Sequence, residues 1–294
     1  LGLFISICFF IFACVSEYEP SSIEIRLSRS VKILDDFGEE ESITDANVFI
    51  ECDQGFTFEP VSVSEEGVYI LKVDKLEPAY KYRLSINWND KEYKSEYLSP
   101  LDTPAIDSIS VESPASEKPV YICVTTHDNE LEPTYYKWSY REIWEFNADL
   151  FANAGYLNDK FYMFERHTSQ NTYYCWGRDS SKVMLLATTD KLTENLIYEK
   201  ELIEIPRDHD KLKILYYIEV QQNRIRKEAY EYFKNIQRNI EQTGSIFSPI
   251  PTEVRGNIVC VSDPKEWVLG YVDVTSTTIM KRFMPELRDF YETS

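Results

Sequence analysis

Apolar and polar residues alternate in short runs through the first third of the chain. This pattern covers residues 23–27, 47–51, 67–71 and 80–86. A period of two places successive side chains on opposite faces of a strand, so each run is predicted to be a half-buried strand. Asn89-Asp90 stands between Trp88 and Tyr93 and predicts a hairpin turn. Short strands at this spacing predict an immunoglobulin-like or fibronectin-like β-sandwich over residues 23–104.

A stretch rich in proline and serine follows this region. Residues 105–118 are therefore predicted to be a linker, with a short strand at 106–109. A second domain is expected over residues 119–294. Strand patterns recur within it at 120–124, 135–140, 183–187 and 215–220.

One helix is predicted in the second domain, from residue 226 to residue 243. Gly244 follows it and can end a helix. Apolar residues recur on one stripe of this segment, namely Ala229, Phe233, Ile236 and Ile240. This spacing is typical of a helix that packs one face against a core. We expect it to close one end of a sheet, which makes the second domain β-rich with one α-helix.

The first thirteen residues carry no charge, and the chain turns polar at Cys14. A membrane-spanning helix needs about 20 apolar residues, whereas a shorter run is typical of an export signal. Ala13-Cys14 is a loose match to the processing site of lipoproteins. We predict a signal peptide over residues 1–13, lipid on Cys14 and a tether over 14–22. An ordinary secretory signal cut near Ala13 is the alternative.

Composition narrows the classes of partner. The chain has 50 acidic and 31 basic residues among 294, which gives a net charge of −19. Nucleic acids and anionic lipid surfaces are recognised by lysine and arginine, so neither is expected as a partner of the folded domains. The 21 tyrosines and 16 phenylalanines, with only nine glycines, are typical of pleated sheet. The expected fold class is mainly β.

Four cysteines follow the predicted lipidation site, namely Cys52, Cys123, Cys175 and Cys260. An exported protein meets an oxidising compartment, where four cysteines allow three disulfide connectivities. We predict a Cys175–Cys260 disulfide because both residues lie in the second domain. Cys52 and Cys123 would have to pair across the domain boundary, so we expect both to be unpaired.

Catalytic and metal-binding motifs are absent from the sequence. The three histidines are His127, His167 and His209, and no two have the spacing that places both on one helix face. No nucleophile elbow or phosphate loop occurs. Segments 127–130 and 208–210 combine imidazole with carboxylates, but aspartate and asparagine readily form turns, and we interpret both segments as solvated turns. We expect no enzyme activity, metal or cofactor.

Tryptophan offers an alternative function. Four indoles fall in the second domain, at Trp138, Trp144, Trp176 and Trp267. A groove lined by some of these rings would bind glycans or peptides. Aromatic side chains on strands more often form core pairs, and a core position is the interpretation we prefer.

Several separated blocks resemble one known family. In the second domain they are residues 135–146, 174–177, 229–233, 243–251, 256–260 and 268–272. In the first domain and linker they are residues 26–30, 45–49, 67–69 and 105–109. In this order the blocks resemble the Bacteroidota lipoprotein family catalogued as domain of unknown function 4249. The resemblance covers nearly the whole chain.

This resemblance implies an outer-membrane lipoprotein. Family members are also often encoded beside TonB-dependent transporters. Glu17 and Glu19 follow the predicted lipidated residue closely, a pattern that in Bacteroidota accompanies export to the cell surface. The protein is therefore expected to act as an accessory protein that binds a partner. Such a transporter is the partner that the resemblance favours. The family has no established activity, so Cys14 is the one functional residue that the resemblance carries over.

The chain departs from the family pattern at two places. Only residues 15–22 lie between Cys14 and the first predicted strand, where the family has a further strand and a turn, so the first sandwich is expected to leave a strand edge open. Arg226 stands where the family has a polar helix cap, which predicts a weaker helix start.

Overall fold

The computed structural model describes residues 4–6, 21–29, 41–73, 76–115, 118–149, 154–157, 159–163, 173–242 and 254–291. Strands dominate this part of the chain, and nearly all of them pair antiparallel. In chain order they are β1 (Phe4–Ser6), β2 (Ser21–Arg26), β3 (Ser28–Arg29), β4 (Glu41–Ser42), β5 (Asn47–Cys52), β6 (Thr57–Phe58), β7 (Pro60–Val63), β8 (Val68–Val73), β9 (Tyr82–Trp88), β10 (Lys91–Ser95), β11 (Ile106–Glu112), β12 (Val120–His127), β13 (Tyr135–Asn147), β14 (Ala154–Leu157), β15 (Lys160–Met163), β16 (Tyr174–Ser180), β17 (Leu185–Thr188), β18 (Leu196–Ile205), β19 (Leu215–Ile225), β20 (Ile258–Cys260), β21 (Trp267–Leu269) and β22 (Thr277–Phe283). Helix α1 spans Lys227–Gln242, and two short 3-10 helices span Asp210–Leu212 and Pro285–Phe290. The mainly β fold class is confirmed.

Two sheets that share one core form the first sandwich. Their strand orders are β20-β10-β9-β5-β6 and β2-β8-β7. Alternation along β5 buries Val48, Ile50 and Cys52, as a period of two requires. Asn89 and Asp90 join β9 to β10 with φ angles of 49° and 58°. Positive φ at both central residues is the geometry of a two-residue hairpin turn, so the predicted hairpin is confirmed.

The domain assignment differs from the prediction at two places, the start of the second domain and a segment before its last strand. Part of the predicted linker is β11, which pairs with β12 and belongs to the second sandwich. Part of the predicted second domain belongs to the first sandwich. Strand β20 pairs with β10, and Val268, Val272 and Val274 pack in the first core. This return covers the outer edge of β10, which would otherwise present unpaired backbone groups.

The second sandwich packs a three-stranded sheet against a larger one. The strand orders are β11-β12-β18 and β16-β13-β19-β22, and β17 pairs with one end of β13 on the β16 side. Even-numbered residues of β13 point into this core, where Tyr136 and Trp138 are buried with Val220 of β19. The remaining face of the larger sheet points outward, and that face carries the helix.

Helix α1 matches the predicted helix to within one residue at each end. Ala229 and Phe233 are buried and Ile236 is partly buried, as the apolar stripe predicts. Ile240 departs from the prediction, since 67% of it is exposed. Gly244, the expected end of the helix, lies outside the described residues.

The start of the helix is supported by a distant carboxylate. The Arg226 N–H donates to Oδ2 of Asp273 at 2.9 Å, and the guanidinium bonds to the same carboxylate and to the carbonyl oxygen of Ser99. An unpaired N–H at a helix start needs such an acceptor. Asp273 therefore holds the residue that precedes the helix in place, and it ties the helix to the first sandwich.

Little of the predicted anchor region is described. Of the predicted signal peptide, only Phe4–Ser6 is described, and it pairs in parallel with β21. Cys14 lies outside the described residues, and the last two residues of the predicted tether, Ser21 and Ser22, begin β2. Within the described ranges, no helix is both long and apolar enough to cross a membrane.

Candidate functional site

Helix α1 covers one end of the outer face of the larger sheet. Odd-numbered residues of β13 point to this face, opposite those that enter the core. The rings of Tyr135 and Tyr230 lie 5.3 Å apart, and Nζ of Lys137 lies 5.1 Å from the ring centre of Phe233. Burial under the helix lowers the pKa of Lys137 well below its usual range. This end of the face is closed to solvent.

The other end of the same face stays exposed and is rich in apolar groups. Residues directly opposite each other in paired strands share a face of the sheet. Ile143 lies opposite Tyr217, and Tyr217 lies opposite Phe283, so all three side chains are on the outer face. Trp176 of β16 lies on this face as well, opposite Glu145. Trp176 is 62% exposed and Phe283 is 63% exposed. Several large apolar side chains exposed side by side on a domain surface mark an interaction site.

A groove runs between β13 and β16 at this exposed end. Its volume is about 620 Å³, and its lining combines one indole, one aliphatic group, two guanidinium groups and two carboxylates. The carboxylates belong to Glu142 and Asp179, which pair with Lys211 and Lys182. The outward-facing lining residues are Arg141, Ile143, Trp176, Arg178 and Ser180. Such a mixture of apolar surface with a few fixed polar groups is typical of a binding site. We call this feature the β16 groove.

Positive charge in the β16 groove is not neutralised by the described part of the chain. Neither Arg141 nor Arg178 forms an ion pair with a described residue, although the chain as a whole is strongly acidic. Glu219 lies opposite Arg141 but pairs with Lys281 at 3.4 Å. Glu145 lies at the far end, beside Trp176. Asp179 lines the end of the groove near Ser180 but pairs with Lys182 at 3.1 Å, so the two guanidinium groups leave this end positively charged.

Buried polar contacts hold the floor of the groove from below. Glu142 points into the core, where its carboxylate accepts hydrogen bonds from the Tyr216 hydroxyl and from Nζ of Lys211 at 2.5 Å. Burial and the neighbouring carboxylate raise the pKa of Tyr216 far above its usual range. Gly177 lies opposite Trp144, and a Cβ at this glycine would lie 2.1 Å from the indole ring. The glycine lets the Trp144 ring lie flat beneath β16.

A comparison with known protein families supports the resemblance found in the sequence. The model of the domain of unknown function family 4249 matches residues 13–280. The chain belongs to this family. No curated protein matches it.

The four tryptophans of this family member do not form a row. Trp138 is 1% exposed and Trp144 faces the core, so the preferred core interpretation is confirmed for Trp138 and largely for Trp144. Trp267 lies on β21, next to Val268 of the first core, and its ring centre is 4.2 Å from the guanidinium carbon of Arg255. Trp176 alone among the four is mostly exposed. A sugar-stacking platform of several indoles is therefore not formed.

The two histidine segments of this family member serve as structural turns. Nδ1 of His127 lies 2.8 Å from the Asp107 carboxylate, which raises the pKa of the imidazole. Both carboxylate oxygens of Glu130 accept from the Arg224 guanidinium, at 2.7 and 2.6 Å. Nδ1 of His209 accepts the Lys211 N–H at 3.1 Å and caps a 3-10 helix.

No set of three metal-ligating side chains converges within the described ranges. Of the three histidines, His167 lies outside the described residues.

The predicted Cys175–Cys260 disulfide is not formed in the structure, and the prediction is corrected. Cys175 lies on β16 opposite Phe146, in the second sandwich, whereas Cys260 lies opposite Tyr93 in the first sandwich. The return of β20 to the first sheet separates the two cysteines. A disulfide needs Cα atoms within about 7 Å, which residues in different sandwiches on these strands do not offer.

The other two cysteines are buried thiols, one in each sandwich. Cys52 packs in the first sandwich, and Cys123 lies on β12 of the second. Burial raises the pKa of the Cys123 thiol to about 11. Both thiols are therefore protonated and chemically quiet at neutral pH.

Proposed function

We propose that this protein is a non-enzymatic, lipid-anchored accessory protein of the outer membrane that binds a partner protein through the exposed end of the second sandwich. The partner class that the family resemblance favours is a TonB-dependent transporter. Exposure at the cell surface is part of the same proposal and is supported by Glu17 and Glu19. A glycan- or peptide-binding surface module is the alternative.

The observation that carries the proposal is the uneven covering of one sheet face. Helix α1 buries one end of it, while Ile143, Trp176 and Phe283 at the other end stay open to solvent. Exposing large apolar side chains costs solubility, and aromatic residues with arginine are enriched where proteins bind each other. The β16 groove favours the alternative as well, because it offers an indole beside charged groups.

We expect a photo-crosslinking amino acid at position 176, used in intact cells, to join the protein to one outer-membrane partner. The matched control is position 198, because Tyr198 is 68% exposed but belongs to the smaller sheet of the same sandwich. Mass spectrometry of the crosslinked band identifies the partner. No crosslink at position 176, or the same set of products at both positions, contradicts the proposed binding surface. A crosslink to glycan instead of protein favours the alternative function.

Replacing Cys14 by alanine is expected to abolish incorporation of labelled palmitate and recovery in the outer-membrane fraction. The reason is that a thioether-linked lipid needs this sulfur, and several acyl chains on one residue give stable anchoring. Cys8→Ala is the matched control, since Cys8 belongs to the predicted signal peptide and lies before the processing site. Full labelling of the Cys14→Ala variant argues against lipid at this residue.

A further inference from the structure

One edge of β16, at Trp176 and Arg178 beside the groove, has no strand partner among the described residues. Within the described part of the chain β16 pairs only with β13. The N–H of Ser181 donates to the Tyr140 carbonyl oxygen, and the N–H of Ala148 donates to the Tyr173 carbonyl oxygen. Backbone bonding alternates along an antiparallel pair, so odd-numbered residues of β16 bond to β13. The backbone N–H and C=O groups of Trp176 and Arg178 therefore point away from the sheet.

An open edge of this kind can accept an added strand. Main-chain hydrogen bonds give such a complex its affinity, and the side chains beside the edge select the sequence. The side chains of Trp176, Arg178 and Ser180 all lie on the outer face, next to the position that an added strand would occupy. Proline, which would remove an outward N–H, does not occur in β16.

The charge beside the β16 edge indicates which kind of peptide strand could bind there. Arg178 is on β16 itself, and Arg141 lies opposite Ser180, whose small side chain leaves the guanidinium room to reach across. Neither arginine has an ion-pair partner among the described residues. Side chains on one face of an added strand recur at every second residue. Carboxylates at alternate positions would therefore meet these guanidinium groups.

We propose that the β16 edge binds an extended acidic peptide segment of the partner by strand addition. The segment's backbone bonds to Trp176 and Arg178, its carboxylates face Arg141 and Arg178, and its apolar side chain packs on the indole of Trp176. This inference rests on the proposed function, and it names the chemistry by which the partner is recognised.

The test is calorimetric titration of the full chain, purified in detergent, with a synthetic peptide that alternates glutamate and valine. We expect binding that weakens about tenfold or more in the Arg141→Glu, Arg178→Glu double variant, because two attractive contacts become repulsive. A peptide that alternates lysine and valine is the matched ligand and should not bind. Binding should also fall as salt is raised.

The role of the backbone is tested with Arg178→Pro against Arg178→Ala. Both lose the guanidinium, but only proline removes the outward N–H, and it disrupts no bond to β13. We expect the proline variant to bind about fivefold more weakly than the alanine variant. An N-methylated glutamate–valine peptide provides a second measurement that leaves the protein unchanged. It should bind worse than the parent peptide.

Three results would overturn strand addition. They are no binding of the glutamate–valine peptide, equal binding by the wild type and the double charge-reversal variant, and equal binding of the N-methylated peptide. Binding of polygalacturonate that is the same in Arg178→Pro and Arg178→Ala would assign the groove to acidic glycans instead, which also overturns it. The proposed function is tested separately, because a protein crosslink at position 176 supports it whichever result the peptide gives.

Discussion

Replacing Trp138 by alanine is expected to lower the free energy of unfolding by about 3–5 kcal/mol, the range for removing a large aromatic side chain from a core. Trp138 lies near the start of β13 in the second core, where its ring stacks on Tyr136 with ring centres 5.4 Å apart. The indole Nε1 donates to Oε1 of Gln222 at 2.8 Å. Removing it leaves both a cavity and a buried acceptor without its donor. Urea denaturation followed by circular dichroism measures the loss.

Trp88→Ala is the control for this prediction. Trp88 is partly buried at the end of β9, and its Nε1 donates to the solvent-accessible carboxylate of Asp45. Water can replace that bond, so we expect a clearly smaller loss of stability. Equal losses at the two positions would contradict the central role of Trp138. If Trp138→Ala does not fold, Trp138→Phe keeps most of the volume and isolates the cost of the unpaired Gln222.

Local patterns in the sequence predict most of the strands because each pattern is complete within a few residues. The alternation at 47–51 and the Asn89-Asp90 turn reappear as β5 and the β9–β10 hairpin. The helix is predicted from an equally local pattern. The apolar stripe from Ala229 to Ile236 forms its buried side. Ile240 is an exception, since it is exposed and lies outside the cluster that the helix forms with the sheet, and no local pattern contains that information.

Pairing between distant segments is what the sequence does not reveal. Ile258–Cys260 is a short strand whose partner, β10, lies far away along the chain. Nothing within the segment distinguishes the first sandwich from the second, and the predicted limits and the predicted disulfide were wrong for the same reason. The bond that Asp273 accepts from the Arg226 N–H is another contact of this kind. It holds the residue that precedes the helix, whose own side chain is a poor cap.

The candidate site was only partly visible in the sequence. Trp176 was named as a possible binding residue, but Arg141 and Arg178 were not. One signal was available, since residues 174, 176 and 178 alternate along one strand and must share a face. Whether that face is buried depends on where α1 lies across the sheet. The helix covers Lys137 and stops short of Arg141, and this limit is a property of packing and not of strand pattern.

Replacing Glu142 by alanine is expected to cost about 3–5 kcal/mol of stability, the range for breaking a buried charge pair by removing one partner. The Glu142 side chain is fully buried, and that of Lys211 is 12% exposed. The variant strands the Lys211 ammonium beside Trp144 and leaves the Tyr216 hydroxyl without its acceptor. The measurement is equilibrium unfolding in urea. Asp179→Ala is the control, since Asp179 lies opposite Glu142 in β16 but pairs with the exposed Lys182, and its loss should be much smaller.

The cost of the Glu142 variant should reside in the stranded charge and not in the lost volume. A double variant, Glu142→Leu with Lys211→Met, removes both charges and keeps the space filled, so it should regain most of the stability that Glu142→Ala loses. If the double variant is as unstable as the single one, the packing of Glu142 and not its charge supports β13. Because Glu142 lies between Arg141 and Ile143, this pair also fixes the strand that carries one wall of the β16 groove. The single variant should therefore weaken crosslinking at position 176 even under conditions in which the protein remains folded, whereas the double variant should restore it.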